Sequence, residues 1–369
     1  MMQARSSDEI RVLVNGVSAR MDGGGTYLIS QLRALGEDRG LDLTVHAVGQ
    51  VAAALEEACP GAHVVREPGR PLPRRLVWEQ ARLARHAADH DVVYAPGNFA
   101  LLATPRPQVL LQQNATLFGE AGRLVRRRFP PRTRARLAVE GAAARLSIRR
   151  ATRVVAVSHS LAASIEDDLG PLPKLSVLPI ATPELSPARS RAGTHEDPYV
   201  LAVSKDFPHK DWDGLVDALL GSRDLPPLVV VGRAGPDRLR SLRARVEAEG
   251  PGRVTFLGVV SDRTALAGLY AGASCCLAHS YLESLGLTPL EARSLGVPVA
   301  ASNIPGHREV LGAAAIYYPP ENLQDLAAAV RTALSQRFEQ AKPTGLAAGT
   351  WSTNAAALAD VLRAAVGDR

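Results

Sequence analysis

Short apolar runs rich in β-branched residues alternate with longer stretches of helical periodicity along almost the whole chain. The runs are IRVLVNG, LDLTVHAV, DVVYAP, QVLLQQN and RVVAVS in the first half, then YVLAVS, PLVVVG, RVTFLG, SCCLAH, PVAAS and AIYY. Helical stretches such as TYLISQLRALGED and LVWEQARLARHAA separate them. Consecutive parallel strands need a crossover helix, so the alternation predicts doubly wound α/β sheets covered by helices on both faces.

One proline-rich stretch without periodicity, LPIATPELSPARSRAGTHEDPY, interrupts the alternation. With 369 residues the chain is long enough for two domains. We therefore predict a doubly wound N-terminal domain at 1–183, a linker at 184–198, a doubly wound C-terminal domain at 199–345 and a C-terminal helix at 346–369. Ligands of doubly wound sheets bind beyond the carboxyl ends of the strands, so we expect the chemistry in those loops and in the cleft between the domains.

Cysteine content and hydropathy indicate a cytoplasmic protein. The three cysteines, Cys59, Cys275 and Cys276, are too few for a disulfide framework and fit a reducing compartment. The N-terminal sequence MMQARSSDEIR lacks the apolar segment of a signal peptide. No uninterrupted apolar run reaches the roughly 18 residues that a membrane span requires.

Positive charge is concentrated between Arg123 and Arg153. This stretch holds eleven arginines and one acid, Glu140, for a formal charge of +10, whereas the whole chain carries +6. The apolar residues interleaved with these arginines are Leu124, Val125, Phe129, Leu137, Val139, Leu146 and Ile148. Such a segment can lie on an anionic membrane surface, the alternative being ordinary helices with solvated arginine faces. Nucleic-acid binding is disfavoured, because few aromatic residues accompany the arginines and no binding motif occurs.

Two glutamates, Glu283 and Glu291, lie eight positions apart in YLESLGLTPLEARSLGVPVAAS. The tetrapeptide TPLE predicts a capping box in which Thr288 is the N-cap and Glu291 caps its own helix, which would end near Leu295. In the alternative interpretation, free N–H groups of this helix bind phosphate while Glu291 accepts hydrogen bonds from a ribose. Gly286 would allow the sharp turn ahead of the helix.

The same stretch closely resembles the E-x7-E signature of retaining glycosyltransferase family 4, whose members have the GT-B fold. Further similar segments follow in the family's order along most of the chain: GGGTYLISQLRAL, RVVAVSHSLAASI, YVLAVSKDFPHKDWDGLVDAL and RVTFLGVVSDRTALAGLYAGAS. They resemble, in turn, the glycine loop, the last strand and helix of the N-terminal domain, the phosphate-binding segment and the base-binding loop. The resemblance implies two facing Rossmann-like domains, of which the N-terminal one at 1–183 would bind the acceptor and the C-terminal one at 199–345 the nucleotide sugar. It also implies that the C-terminal helix returns to the N-terminal domain.

The resemblance also implies a nucleotide-diphospho sugar as donor and assigns its contacts. Glu283 would face the donor sugar, Lys205 and Lys210 would bind its diphosphate, and Glu291 would bind its ribose. The remaining expected donor contacts are Gly24, Gly25, Asn114, Gly258, Val259, Leu285, Gly286 and Leu287. Lysine at 205, where the family usually has arginine, is a point charge rather than a bidentate fork.

One departure from the family concerns the segment after QVLLQQN, where Gln113 or Asn114 replaces a common histidine. Amides do not titrate, so a general base at this position is excluded. The resemblance implies that fixed positive groups stabilise the leaving diphosphate, which takes the acceptor's proton, with no metal or other cofactor. Glu283 and Glu291 are therefore not interpreted as the paired carboxylates of a retaining hydrolase.

The predicted activity is retaining, metal-independent hexosyl transfer to a hydroxyl acceptor, in cell-envelope or exopolysaccharide synthesis. A lipid-linked acceptor would bring the stretch Arg123–Arg153 to the inner face of the membrane. The alternatives are a natural-product glycosyltransferase with a soluble acceptor, a nucleotide-sugar epimerase and a non-catalytic nucleotide-sugar-binding relative. A nicotinamide-dependent dehydrogenase is disfavoured, because the first strand leads into NGVSARMDGGG, which lacks the G-x-G-x-x-G spacing.

Overall fold

The computed structural model describes residues 9–21, 23–181, 185, 198–335 and 349–368. The chain forms two compact units. The first consists of Met1–Arg123, Pro131–Ala181 and Gly349–Arg369, and the second of Leu124–Pro130 and Thr182–Ala348. The predicted linker 184–198 lies outside the described residues except for positions 185 and 198, and the first eight residues lie outside them as well.

A seven-stranded parallel sheet forms the centre of the first unit. Its strands are β1 (Ile10–Asn15), β2 (Leu41–Val48), β3 (His63–Glu67), β4 (Val92–Ala95), β5 (Gln108–Gln112), β6 (Arg153–Ala156) and β7 (Leu175–Val177). They lie in the order β3-β2-β1-β4-β5-β6-β7, and each neighbouring pair is parallel. The five predicted strands are confirmed. Sequence reasoning missed β3 and β7 because both are edge strands with partly exposed side chains and no apolar run.

A six-stranded parallel sheet forms the centre of the second unit, and all six of its strands were predicted. They are β8 (Val200–Val203), β9 (Leu228–Val231), β10 (Val254–Gly258), β11 (Cys275–Ala278), β12 (Val299–Ser302) and β13 (Ile316–Tyr318). Their order is β10-β9-β8-β11-β12-β13, again parallel throughout. Val230, Phe256 and Leu277 pack with Trp212 and Leu326 in the core of this unit, between the sheet and its helices.

Helices cover both sheets, as the alternation predicts. They are α1 (Gly23–Leu35), α2 (Gly49–Ala58), α3 (Leu72–Trp78), α4 (Ala84–His86), α5 (Gly119–Arg126), α6 (Pro131–Arg150), α7 (His159–Leu169), α8 (Trp212–Leu220), α9 (Pro236–Glu249), α10 (Arg263–Gly272), α11 (Leu287–Ser294), α12 (Pro305–Leu311), α13 (Leu323–Ser335) and α14 (Trp351–Gly367). A π-helical turn at Glu79–Leu83 joins α3 to α4.

Helix α14 belongs to the first unit and packs against α1. The ring of Trp351 meets that of Tyr27 edge to face, with 5.1 Å between centroids. The buried Asn354 accepts a hydrogen bond from Gln31 Nε2 at 2.8 Å. Thr350 and Thr353 cap the start of the helix reciprocally. The end of the chain therefore completes the unit in which the chain began.

The strand order of each sheet reverses once, between β1 and β4 in the first and between β8 and β11 in the second. Connections on the two sides of such a reversal diverge, which opens a crevice at the carboxyl ends of the two strands. In the second unit this crevice is flanked by the loops that follow β8 and β11. These two loops contain Lys205, Lys210 and Glu283.

Candidate active site

The loop after β8 carries both predicted phosphate-binding lysines. It ends at Asp211, which adopts the left-handed conformation (φ 42°) and caps α8 by accepting from the Gly214 N–H at 3.2 Å. Lys210 lies immediately before this cap, so the start of α8 fixes its backbone. Lys205 is half-buried, with Nζ 6.0 Å from the ring centroid of Phe207.

Lys210 forms an ion pair with Glu283, which lies in the loop after β11. Each of the two side chains is only 15% exposed. The backbones of the two loops are also joined, because the Tyr281 N–H donates to the His209 carbonyl at 2.8 Å. Burial by itself would raise the pKa of Glu283, but the charge and the hydrogen bond of Lys210, together with the neighbouring His307 and His209, outweigh it and hold the pKa below its ordinary value. The pair therefore contains an ionised carboxylate.

Three histidines lie near this ion pair, and burial lowers the pKa of each. For His209 and His279 the pKa falls to about 4. His307 Nδ1 lies 3.0 Å from the Ser302 carbonyl, which can only accept, so this nitrogen carries the proton. Its Nε2 faces Glu283 Oε1 at 3.9 Å. Because the three rings are neutral near pH 7, the positive charge beside Glu283 comes from Lys210.

Helix α11 begins at Leu287, one residue before the predicted N-cap Thr288. Its N-cap is Gly286, whose φ of 69° confirms that the turn needs glycine. The predicted capping box is wrong, because among the described residues no side chain caps this helix. The predicted end is confirmed, with Leu295 as the C-cap. The turn places the buried Leu285 and the first N–H groups of α11 directly after the Glu283 loop.

Glu291 lies in α11 with 6% exposure. Its Oε1 accepts from Arg263 Nη1 at 3.0 Å and its Oε2 accepts from Tyr270 Oη at 2.9 Å. Burial raises the pKa of Glu291, and the charge of Arg263 opposes part of that rise. The interpretation of Glu291 as the cap of its own helix is therefore wrong, since both oxygens bond to α10 instead.

The predicted base-contacting residues lie at the end of β10. Gly258 has a φ of 76°, and a Cβ placed there would meet no atom within 4 Å, so its main chain borders open space. Val259 is 54% exposed. Arg263 begins α10 four positions further on. The predicted base loop thus leads straight to one of the two residues that hold Glu291.

The segment Leu124–Pro130 contributes two residues that sequence reasoning did not assign to this unit. The guanidinium of Arg128 lies 3.5 Å from the ring centroid of Tyr281. The ring of Phe129 lies 6.2 Å from that of His209. Tyr281 and His209 adjoin the Glu283 and Lys210 positions, so these contacts support the two loops of the ion pair. The available signal was an aromatic residue between an arginine run and a Pro-Pro break.

Gly24, Gly25 and Asn114 belong to the first unit, whereas the other predicted donor contacts belong to the second. Both glycines lie in the first turn of α1. A Cβ on Gly25 would fall 1.8 Å from the Arg20 carbonyl oxygen, so the chain before the helix folds back onto its start and only glycine fits.

The amides that replace the family's histidine shape the loops after β4 and β5. Asn114 Oδ1 accepts from the N–H and the hydroxyl of Thr116, at 3.1 and 2.6 Å. Gln113 Nε2 donates to the Pro96 carbonyl at 2.7 Å. The Gln113 N–H donates to Asn98 Oδ1 at 2.7 Å, and Asn98 has a positive φ of 66°. The edge of the sheet here is thus built from uncharged amide groups.

The arginine-rich stretch presents less apolar surface than its sequence predicts. Val125, Leu137 and Ile148 are buried, Phe129 is half-buried, and Leu124, Val139 and Leu146 are exposed. Asp168 binds two of the arginines, Arg123 at 2.7 Å and Arg145. Within the part of the chain that the structure describes, no helix has the length and hydropathy needed to cross a membrane.

Two family models match the chain, Glycosyltransferase Family 4 at residues 21–181 and Glycosyl transferases group 1 at residues 188–348. The chain is 34% identical over 142 residues to O-antigen chain mannosyltransferase B of Escherichia coli, covering 37% of this chain and 36% of that protein. It is 29% identical over 360 residues to D-inositol 3-phosphate glycosyltransferase of Geodermatophilus obscurus, covering 86% and 79%. It spans 36%, 52% and 33% of the length of the first three curated relatives that it matches.

Among solved structures, Anabaena HepE in complex with UDP and glucose is similar over 98% of both chains, with a TM-score of 0.69 and 21% sequence identity. Two doubly wound parallel sheets with these strand orders define the GT-B class of glycosyltransferase folds. The chain belongs to glycosyltransferase family 4, since the two family models together span most of its length. The predicted fold and family are confirmed.

Proposed function

We propose that the protein is a retaining, metal-independent glycosyltransferase of cell-envelope or exopolysaccharide synthesis. It moves a hexosyl group from a nucleoside-diphosphate sugar to a hydroxyl of a glycan or lipid-linked acceptor. The observation that carries the proposal is the Lys210–Glu283 ion pair, which lies where the strand order of the second sheet reverses and just ahead of α11. This is the crevice in which doubly wound sheets bind nucleotides.

The charges at this crevice suit the cleavage of a glycosyl–phosphate bond. The bond from the anomeric carbon to the diphosphate oxygen breaks, and the leaving diphosphate gains negative charge in the transition state. Lys205, Lys210 and the N–H groups at the start of α11 offer fixed positive charge and hydrogen-bond donors to it. The acceptor oxygen bonds to the same face of the anomeric carbon and gives its proton to the leaving phosphate oxygen. No titrating side chain is then needed for proton transfer.

The names of the relatives guide the choice of donor. O-antigen chain mannosyltransferase B and a GDP-mannose-dependent mannosyltransferase of Mycobacterium tuberculosis are each 34% identical to the chain over the aligned part. The similar HepE structure contains UDP and glucose. We therefore expect GDP-mannose to be the preferred donor and UDP-glucose to be the main competitor.

A donor panel with an oligosaccharide acceptor tests this function. We expect acceptor-dependent release of the nucleoside diphosphate and, by NMR, a product that keeps the anomeric configuration of the donor. Interconversion of the free donor sugars would instead establish an epimerase. Donor binding without either reaction would establish a non-catalytic relative, and an inverted product would overturn the retaining mechanism.

We propose in addition that the arginine-rich stretch holds the protein on an anionic membrane surface. Arg132, Val139 and Leu146 repeat every seven residues along α6 and are exposed, as are Arg136 and Arg149 beside them. A basic residue near an anionic surface contributes about 1 kcal/mol of attraction. We expect sedimentation with anionic vesicles that weakens with salt and in Arg132→Glu/Arg136→Glu. Binding to neutral vesicles alone, or no binding, would contradict the proposal.

A further inference from the structure

We propose that Tyr270 and Arg263 are positioning residues that hold the Glu291 carboxylate for the two hydroxyls of a nucleotide ribose. The inference rests on the proposed function and on the prediction from the sequence that Glu291 binds the ribose of the nucleotide-sugar donor. It goes further by assigning the orientation of that group to two side chains of the neighbouring helix α10.

A single helix presents both donors. Arg263 and Tyr270 are seven residues apart on α10, which is close to two turns, so their side chains lie on the same face. That face packs against α11, and each donor reaches a different oxygen of Glu291. Both the position and the rotation of the carboxylate are thereby fixed. A carboxylate held at one oxygen alone could still rotate about its terminal bond.

The arrangement leaves the acceptor capacity that a diol needs. Each carboxylate oxygen can accept about two hydrogen bonds, and α10 supplies one to each. One acceptor position therefore remains on Oε1 and one on Oε2. Adjacent 2′ and 3′ hydroxyls of a ribose are two donors at matching separation. The geometry thus fits a bidentate contact, which removal of either hydroxyl would break.

Tyr270 donates a hydrogen bond to Glu291 at any ordinary pH. It is fully buried, and burial raises the pKa of its phenol well above the ordinary value, so Tyr270 always acts as a donor to Glu291. The Tyr270→Phe change removes only the hydroxyl and leaves the ring to fill the same volume. The Oε2 atom then loses its buried donor and the carboxylate becomes free to rotate.

Arg263 is the more exposed of the two donors, and its charge favours the ionised form of the Glu291 carboxylate. Its side chain is 44% exposed, whereas that of Glu291 is 8% exposed. The titratable groups near Glu291 are Arg263 and Tyr270 on α10 and Cys276 on β11, whose thiol pKa burial raises well above its usual range. Arg263 is the cation among them, so Arg263→Met should raise the pKa of Glu291. A protonated carboxyl has less acceptor capacity for a diol, so nucleotide affinity should then decline at a higher pH than in the wild type.

Calorimetric titration with GDP and with 2′-deoxy-GDP, and with the UDP pair in parallel, tests the inference. We expect Tyr270→Phe to lower the affinity for the ribonucleotide about tenfold, as for loss of one hydrogen bond to a charged group. The same substitution should lower the affinity for the deoxy analogue only about twofold, because this analogue already lacks one of the two contacts. Arg263→Met should shift the pH midpoint of ribonucleotide affinity upward.

Tyr199→Phe is the matched control. Tyr199 is also buried, and its hydroxyl donates to the Leu269 carbonyl of α10 at 2.6 Å without reaching Glu291. We expect it to lower the melting temperature but to leave both affinities unchanged. Equal losses for GDP and 2′-deoxy-GDP in Tyr270→Phe, or a loss no greater than that of Tyr199→Phe, would overturn the positioning role. If Glu291→Gln binds the ribonucleotide as tightly as the wild type, the predicted ribose role of Glu291 fails instead.

Discussion

The carboxyl edges of the two sheets have the same geometry and different chemistry. In both units the strand order reverses beside the first strand, and loops diverge at that point. In the second unit these loops bring together the charged side chains Lys210 and Glu283. In the first unit the loops after β4 and β5 bring together the uncharged amides Asn98, Gln113 and Asn114. The same strand arrangement therefore decides where loops meet, and the loop residues alone decide what they bind.

In the proposed function, this difference separates a site for the donor diphosphate from a site for sugar hydroxyl groups. Fixed charge in a partly buried crevice stabilises a diphosphate whose charge grows as the bond breaks. Amides donate and accept hydrogen bonds without titrating, which suits neutral hydroxyl groups at any pH. We expect the donor diphosphate at the charged edge and a hydroxyl-rich ligand at the amide edge.

The largest effect is expected from Lys210→Met. We predict a kcat lower by about 100-fold, because loss of one electrostatic donor to a developing anion commonly costs 10²–10³ in rate. Turnover is measured by release of nucleoside diphosphate. Arg331→Gln, which breaks the exposed pair with Asp224 in the same unit, is the control and should leave kcat unchanged.

Stability needs separate treatment in this variant, because Lys210→Met leaves the Glu283 charge without its partner. The double variant Lys210→Met/Glu283→Gln should recover most of the lost melting temperature and should keep the low kcat. A kcat within twofold of wild type in Lys210→Met would mean that the charged edge does not act on the leaving group.

A smaller effect is expected at the amide edge from Asn114→Asp. Aspartate keeps the oxygen that caps the turn at Thr116 but replaces the amide donor with a negative charge. We predict about a tenfold higher KM for the nucleotide-sugar donor, as for one lost hydrogen bond to a hydroxyl of the donor sugar, with unchanged affinity for the free nucleoside diphosphate. Asn322→Asp is the matched control, since Asn322 caps the Gln324 and Asp325 N–H groups at the start of α13. If Asn114→Asp binds the free nucleoside diphosphate more weakly than the wild type does, the expected assignment of diphosphate to one edge and hydroxyl groups to the other is wrong.

Sequence reasoning succeeded where a local pattern carries the structure. The buried strands of both sheets were predicted, because a strand covered on both faces must be a continuous apolar run. The edge strands β3 and β7 leave no such run and were missed. Gly286 could be predicted as a turn, since only a glycine readily adopts its positive φ.

Sequence reasoning failed where distant residues compete for one group. The TPLE pattern predicts a cap, but the helix already begins at Leu287, so Glu291 is its fifth residue, and its carboxylate binds Arg263 and Tyr270 instead. No spacing in the sequence relates these residues, because the contact exists only after α10 and α11 pack together. The contact of Arg128 with the ring of Tyr281 could not be predicted from the sequence for the same reason.

A pH-dependent loss of stability would further distinguish the charged edge of the second unit from the amide edge of the first. Burial lowers the pKa of His279 from an ordinary 6.5 to about 4, so the unfolded chain binds its proton more readily than the folded one. The stabilising contribution of the neutral His279 to the free energy of unfolding should therefore be fully present above pH 6.5 and should fall as the pH drops toward 4. The contribution of His279 over this window is at most about 3 kcal/mol.

Urea unfolding at several pH values measures this dependence. His279→Gln should flatten the slope of the free energy of unfolding between pH 6.5 and 4. His63→Gln, on the exposed edge strand β3, is the control for loss of a histidine. The same slope in His279→Gln as in the wild type would show that His279 already takes up its proton in the folded protein.

The smallest expected effect is that of a chelator. Lysines at the charged edge already supply the positive charge that a divalent cation would offer a diphosphate, so turnover should change by less than about twofold in EDTA. The same measurement on Lys210→Met is more informative, because this variant lacks one known positive charge. If added Mg²⁺ or Mn²⁺ restores turnover to that variant but not to the wild type, a cation can replace the lysine without normally doing so. If EDTA abolishes wild-type turnover and Mg²⁺ or Mn²⁺ restores it, the charged edge works through a metal and the assignment of its chemistry to Lys205 and Lys210 is wrong.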